Sequence, residues 1–587
     1  MIISTLLKAI SVLSLLMWVI YLFCLPKAIH IFQQESYQLR DYTRWIYKNP
    51  RQAFGAGSRQ FVICLIYFII MVITYIGVSR TQLLQDEKDI IYIVQLLLYY
   101  IVFDVANIKN IIKWHQERKR AKKKLVYTPR VKRLLFFTLI ALILLVFSVM
   151  EVGYVGTSHV WFLMDAYAKK ILLYSFLILT MPIVLIFGAI FALPTETLIN
   201  DHYINSARFK LLRPKYKNLI RIGITGSYGK TSTKFILKTI LSEKYNVLAT
   251  PESYNTTMGN VKVIRKELKP EHEVFISEMG ARYKGDIRKI CDFVYPQIGI
   301  ITSIGPQHLE SFKTIDGVAN AKAELLRAIP KKNEMSLSTM YNSMKNEKNE
   351  QKCAIFLPMD GGFCSKLYEE ETERNKFSYG LDDKKANVYA KEVKMSVKGC
   401  EFTAVTSIGE IKCVSKLLGE HNIQNILGAI AVAVYLGLSK EQIARGVSKI
   451  EPIAHRLQII PNANGSIVID DAFNSNPIGS KMALDVLQNF AGRKIIITPG
   501  MVELGDKEKE LNKEFGKQMA QCVDIAILVG IKRSKPIEEG LRENGFADMN
   551  IYVVSNLEEA TKKLTMLTMP GDVILFENDL PDNYNES

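Results

Sequence analysis

The sequence predicts a membrane α-helical region followed by two α/β domains, and three observations carry that reading. Long apolar runs fill the first third of the chain. A glycine loop, Gly226-Ser-Tyr-Gly-Lys-Thr231, sits between a strand-like and a helix-like stretch. Beyond it, short β-rich runs alternate with helical periodicity almost to the C-terminus. At 587 residues the chain is also too long for a single core.

The apolar runs lie at 9–25, 61–78, 90–108, 134–155 and 171–193. Most reach the ~20 residues that cross a hydrocarbon core. LLFFTLIALILLVFSV lacks the polar stripe of a helix at a globular surface. The first run reads as retained rather than cleaved. No A-x-A-like site follows it, and bulky Phe23 precedes Cys24 where a lipoprotein site takes a small residue.

Lys27, Arg40, Arg44, Lys48, Arg51 and Arg59 separate the first two runs, and ERKRAKKKLVYTPRVKR separates the third and fourth. Segments this basic stay in the cytoplasm. RTQLLQDEKD, between the second and third runs, is nearly balanced in charge; Lys169 and Lys170 run against the pattern. The expectation is a multi-pass cell-membrane domain of five transmembrane helices over 1–194. Its N-terminus is outside, and everything after a linker at 195–214 is cytoplasmic. Much of the formal net charge of +17 then serves contact with anionic membrane lipid, and no nucleic-acid partner is expected. The eight cysteines are scattered without a C-x-x-C pair, which fits reduced thiols and neither a zinc ribbon nor a disulfide framework.

Ile220–Ile224 reads as a strand and KFILKTILSEKY as a helix, so the loop between them joins a strand to a helix N-terminus. Backbone N–H groups there cradle anionic oxygens. Gly226, Ser227, Gly229 and Ser232 frame the loop, Lys230 is placed to neutralise β/γ-phosphates, and Thr231 to reach a Mg²⁺ ion. The spacing G-x-x-G-K-T is two residues shorter than the general pattern, and alone it says only that a nucleotide binds.

Val274–Glu278 is an apolar strand ending in a carboxylate, suited to hold a metal at a sheet's C-terminal edge. The run from Ile300 ends in a polar cluster containing His308, and Lys322 lies on a helix in Ala-Lys-Ala-Glu324. Each alone has a plainer reading: a surface glutamate, a structural histidine, a surface lysine.

Taken together with SYNTTMGN (253–260), EMGARYKGDI (278–287), GPQHLESF (305–312), GEHNIQN (419–425), HRLQ (455–458), DDAFNSNP (470–477) and MVELG (501–505), these motifs resemble the Mur ligase family. These are the ATP-dependent enzymes that add amino acids to the peptidoglycan stem. DAFNSNP followed by ELG is similar to the D-alanyl-D-alanine-adding branch, and the D-N-P-R motif of the diaminopimelate-adding branch is absent.

The resemblance implies a central ATP-binding domain at 215–452 and a small doubly wound, Rossmann-like C-terminal domain at 453–587. It implies that Lys230 and Thr231 bind ATP phosphates and magnesium, that Glu278 and His308 hold a second magnesium ion, and that Lys322 carries a carbamate. Asn425 would contact adenine, and Arg456 and Asp471 the nucleotide. The implied reaction converts a substrate carboxylate into an acyl phosphate, releasing ADP. An amino acid or dipeptide amine then displaces phosphate to form an amide.

Two departures stand out. Five membrane spans occupy the place of the family's domain for the uridine nucleotide, which favours a lipid-linked or otherwise membrane-held acceptor. At the other end, Gly571-Asp-Val-Ile-Leu-Phe-Glu-Asn-Asp579 has acidic residues where that branch has a lysine-glycine-serine turn, which points to a different amine substrate or to recognition of its amino end. Alternative functions are a poly-γ-glutamate-synthase-like polymer ligase, a P-loop-powered transporter and an ATP-binding scaffold. The transporter reading lacks an L-S-G-G-Q-like signature, and the intact Lys230, Glu278, His308 and Lys322 set opposes the scaffold.

Overall fold

A computed structural model describes residues 25–579 other than 121–123, 152–158, 253, 308, 333–352, 360, 382 and 474. Nearly all of the first apolar run, His308 and the polar stretch NSMKNEKNEQK (342–352), whose composition predicts an exposed loop, lie outside the described residues. The chain forms two compact units that divide at Ile199/Asn200.

The first unit is helical. Its described helices are α1 (Leu39–Lys48), α2 (Pro50–Ser79), α3 (Gln85–Arg120), α4 (Pro129–Glu151) and the first part of α5 (His159–Leu211). Prolines open α2 and α4, where a missing N–H costs nothing. Leu25, Ile29, Phe32, Tyr42, Val131, Leu134 and Leu185 form its core. α2 and α3 pack together, bridged by Gln95 Nε2 donating to Thr74 Oγ1 at 3.2 Å. They leave Ile66, Ile69, Ile73, Leu98, Val102 and Val105 exposed.

The apolar runs expected at 61–78 and 90–108 fall within α2 and α3, and 134–151 and 171–193 within α4 and α5. Among the described residues, one stretch, Thr180–Leu211, meets the length and composition of a membrane span, with mean hydropathy 1.9. The expected five spans therefore reduce, by length and composition, to this one stretch among the described residues.

The expected linker at 195–214 is not a loop. α5 runs through Pro182 and Pro194 to Leu211 and is followed by a short 3₁₀ turn at Pro214–Tyr216. Its last turns are held by packing within the second unit. Tyr203, Ile204, Ala207 and Leu211 recur at helical spacing and join the core formed by Phe275, Ile290 and Phe293.

The second unit contains two sheets. The first has nine strands among the described residues: β1 (Ile220–Thr225), β2 (Val247–Ala249), β3 (Val274–Glu278), β4 (Ile298–Ile301), β5 (Ala354–Pro358), β6 (Lys376–Gly380), β7 (Val388–Ser396), β8 (Gly399–Thr406) and β9 (Gly409–Ser415). Their order is 2-3-1-4-5-6-7-8-9. β2 through β7 pair in parallel and β7-β8-β9 antiparallel. β1 and β3 are buried almost throughout, as parallel strands covered on both faces require.

Helices α6 (Lys230–Leu241), α7 (Thr257–Lys266), α8 (Asp286–Val294), α9 (Ile315–Ala328) and α10 (Glu420–Tyr435) follow or cover these strands. α6 and α10 pack on one face, burying Ile236, Leu237, Ile240, Ile426 and Ile430 together. The second sheet, order 10-11-15-12-13-14, contains β10 (Gln458–Pro461), β11 (Ile467–Asp471), β12 (Lys494–Thr498), β13 (Ile525–Val529), β14 (Ile551–Val554) and β15 (Val573–Glu577). It is parallel except for β10. In both sheets the motif residues gather at the C-terminal ends of strands, where open α/β sheets bind ligands.

Candidate active site

The phosphate loop turns on two glycines. Gly226 has φ 155° and a Cβ there would lie 2.1 Å from Thr302 Oγ1. Gly229 has φ 76°, and a Cβ would lie 2.6 Å from Asn425 Oδ1. The loop is pinned to the segment after β4. Ser227 N donates to Ser303 O at 2.8 Å, Tyr228 N to Ser303 Oγ at 2.7 Å, and Thr302 Oγ1 donates to Tyr228 O.

Lys230 opens α6 and folds back, its Nζ donating to Gly226 O at 2.6 Å and Ser227 O at 3.0 Å. Burial pushes its amine down to about 8, and Arg456 adds to the fall while Glu278 opposes it. Asn425 lies beneath the loop on α10, where its Oδ1 accepts from Thr233 Oγ1 at 3.1 Å. Ser232 is buried in the first turn of α6.

Glu278 ends β3, paired with Ile224 of β1, and is fully buried. Its Oε1 accepts from Thr231 Oγ1 at 3.0 Å and Asn255 Nδ2 at 3.2 Å, and its Oε2 from Lys234 Nζ at 2.9 Å. Lys234 also donates to Glu252 O. Thr231 and Glu278 bring two hard oxygens together beside the phosphate loop. That donor set fits a magnesium-like cation, which takes one or two carboxylates and leaves its other positions to water and substrate phosphates. Among the described residues, no three His, Cys, Asp or Glu side chains form a closed metal cage.

Lys322 is buried on α9, 1% exposed. Burial holds its amine well below the ordinary lysine range. The charge of Lys230 pushes in the same direction, against Glu324 and Asp286. Glu324, two residues on, instead caps α8 from outside, accepting from Gly285 N at 2.7 Å and Arg288 N at 3.0 Å.

The C-terminal motifs reach the same cluster. Arg456 lies over the Phe473 ring at 4.5 Å and is electrostatically coupled to both Glu278 and Asp471. Arg282 of the EMGAR segment approaches Glu503 of MVELG at 3.6 Å. Asp471 sits opposite Glu577 in the β11–β15 register. Ser475 Oγ donates to Glu577 Oε1 at 2.5 Å, and the Asp471 carboxyl acts on Glu577 electrostatically. Burial raises Asp471 to about 6, with Arg456 opposing, and raises Glu577 well above the carboxylate range, with Asp471 reinforcing.

The structure thus groups Gly226, Ser227, Gly229, Lys230, Thr231, Glu278 and Asn425, and couples Lys322, Arg456 and Asp471 to them electrostatically. His308 lies outside the described residues. Lys234, Asn255 and the Thr302-Ser303 brace were not singled out from sequence. The readable signal for Lys234 was its position one turn after Thr231, on the same helical face.

Residues 224–433 match the Mur ligase middle domain and 455–577 the Mur ligase, glutamate ligase domain. The chain is 29% identical over 360 residues to the UDP-N-acetylmuramoyl-tripeptide–D-alanyl-D-alanine ligase of Bacillus subtilis (strain 168), spanning 61% of this chain and 72% of that relative. It is 30% identical over 299 residues to the corresponding ligase of Buchnera aphidicola subsp. Baizongia pistaciae (strain Bp). That match spans 51% of this chain and 60% of the relative, less than two thirds of its length. Among solved structures, MurF from Acinetobacter baumannii superposes with TM-score 0.56 at 25% identity, covering 66% of this chain and 78% of that one.

Proposed function

The chain belongs to the Mur ligase family, ligases that form ADP and an amide bond, and from that premise we propose that it is a membrane-held ligase joining an amino acid or dipeptide to a peptide carboxylate of a peptidoglycan precursor. The observation that carries this reading is the contact set of Thr231 and Glu278 beside Lys230, with Lys322 buried next to it. The D-alanyl-D-alanine ligases among its relatives favour an amine of that kind. The ionised Asp471 and the acidic run ending at Asp579 support recognition of its ammonium near the end of β15.

In the proposed reaction the substrate carboxylate attacks the γ-phosphate of ATP, giving an acyl phosphate and ADP. The amine then attacks the acyl carbon, and phosphate leaves. Lys230 must release the loop carbonyls to meet phosphate oxygens, and the fixed loop keeps its helix N-terminus aimed at them. Lys322, driven toward its neutral amine, is the form that captures CO₂ as a carbamate. Asn425, Arg456 and Asp471 would contact the nucleotide. Thr231, Glu278 and His308 would hold magnesium, which when bound supplies charge neutralisation to the transferring phosphoryl group.

Membrane attachment is supported by Thr180–Leu211 and by the exposed apolar residues of α2 and α3, such as Ile66, Ile69, Ile73, Leu98 and Val102. A cysteine introduced at 81–87 should be labelled from outside intact cells, and one at 115–125 only after permeabilisation. The opposite pattern would reverse the proposed orientation.

The acceptor in this reading is lipid-linked, its diphosphate meeting the basic segment that includes Lys122, Lys123 and Lys124. ADP release by detergent-solubilised protein, with amino acids, dipeptides and lipid-linked or UDP-linked muropeptides, tests the whole proposal. Faster turnover of the lipid-linked peptide is expected, weakened when the three lysines are neutralised. Equal use of the UDP-linked form would remove the lipid-linked acceptor, and no ADP with any pair would remove the ligase reading.

A further inference from the structure

Glu278 is fully buried, and its two oxygens face different partners. Oε1 points to the Thr231 hydroxyl and the Asn255 amide; Oε2 is taken by Lys234 at 2.9 Å, with both side chains within 1% of complete burial. Thr231 and Lys234 stand one turn apart on α6, so one helix presents a neutral oxygen and a cation to the same carboxylate. Lys234 is fixed at its other side by the Glu252 carbonyl, and swinging to solvent would break its buried ion pair with Glu278.

Lys230 and Arg456 are also coupled to Glu278. In the nucleotide-free protein the single negative charge of this carboxylate is therefore already answered, and a dication arriving alone meets a positive field.

We propose that Lys234 is a positioning residue and built-in counter-cation. It occupies one oxygen of Glu278, suppresses divalent-cation binding by the nucleotide-free protein, and makes the cation enter together with nucleotide phosphates. This rests on the ATP-dependent reading above and adds an order of assembly to it. The triphosphate brings the negative charge that the site lacks, while Lys234 holds Oε2 and leaves Oε1, beside Thr231, for the ion.

The test is Mn²⁺ binding by the full-length, detergent-solubilised protein, followed by electron paramagnetic resonance of the free ion at fixed pH. Wild type should bind Mn²⁺ at least tenfold more tightly with a non-hydrolysable ATP analogue than without it. Lys234→Met should tighten binding to the nucleotide-free protein by tenfold or more, and Lys234→Arg should not. Lys234→Met/Glu278→Gln, which removes both charges of the pair, should bind no better than wild type.

Equal Mn²⁺ affinity with and without the analogue in wild type overturns the proposal, even if Lys234→Met does not fold. So does an unchanged nucleotide-free affinity in folded Lys234→Met. Binding of a fluorescent ADP analogue is measured in parallel. Its absence in wild type would sink the ATP-dependent reading itself, whereas normal nucleotide binding with unaltered Mn²⁺ behaviour sinks only the role of Lys234.

Discussion

The two sheets of the second unit are built alike and charged oppositely at the same edge. At the C-terminal end of the first, Lys230 and Lys234 stand beside the carboxylate of Glu278, and Lys322 is buried near Lys230. At the C-terminal end of the second, Asp471 and Glu577 face each other across β11 and β15. Each edge drives one buried group toward neutrality by the same physics. Burial does most of it, and a like charge finishes it: Lys230 against Lys322, Asp471 against Glu577. The parallel-sheet scaffold thus supplies a place, and the side chains choose the sign. A cationic edge suits phosphate; an acidic edge suits an amine.

The largest test of that contrast is Lys230→Ala. No other lysine or arginine lies within the loop, so ADP formation should fall by about 10³-fold, in the range set by losing a charge-stabilising donor. Circular dichroism should stay unchanged. Only a small loss of rate would mean that the cationic edge is not where phosphate is handled. The same lysine gives a pH signature. Its amine is held at about 8, so nucleotide capture should weaken as pH rises through 8, and equilibrium binding of a fluorescent nucleotide would show it. A flat profile from pH 7 to 9.5 would break the link.

Lys322→Ala should have a smaller effect, about 10–100-fold in rate, if its carbamate organises the site from outside the reacting atoms. Bicarbonate should not restore the variant, while a short carboxylate such as acetate should recover part of the rate by occupying the vacated position. Full activity of Lys322→Ala would leave a buried lysine with a packing role only.

How much of this was readable depended on whether a residue's partner was local. The strand, glycine loop and helix announced themselves through period and turn chemistry, and Glu278 was visible as the last residue of an apolar strand. Lys322 stood out within its motif. Lys234 did not, because a lysine in a helix ordinarily faces water. Its burial is decided by β3 and by the Glu252 carbonyl, and the only local hint was its place one turn after Thr231. The Asp471–Glu577 pairing was hidden for the same reason: adjacency of β11 and β15 is a property of topology. The acidity at 577–579 was legible, but not what it met. At 195–214, expected as a linker, Tyr203, Ile204, Ala207 and Leu211 form a helical stripe, and their packing carries α5 past Pro194.

The smallest predicted effect belongs to the acidic edge and is the most specific. Burial holds Asp471 at about 6 and Glu577 higher still, so the folded protein keeps protons that the unfolded chain has released. Wherever the folded state binds more protons, stability falls as pH rises. The window runs upward from the ordinary carboxylate range, through about 6 for Asp471 and beyond it for Glu577. Glu577→Gln keeps the shape and the Ser475 contact while removing the carboxyl that the fold holds protonated. It should raise stability at pH 7.5 and leave it nearly unchanged near pH 2.5, where both carboxyls are protonated in either state. Thermal unfolding at the two pH values reads this directly; an equal shift at both would mean that packing, not charge, sets the pair. If the edge also receives the amine, the same variant should raise the KM for the amine donor and leave that for ATP alone. A change in both would mean that the two edges, opposite in charge, are not separate in function.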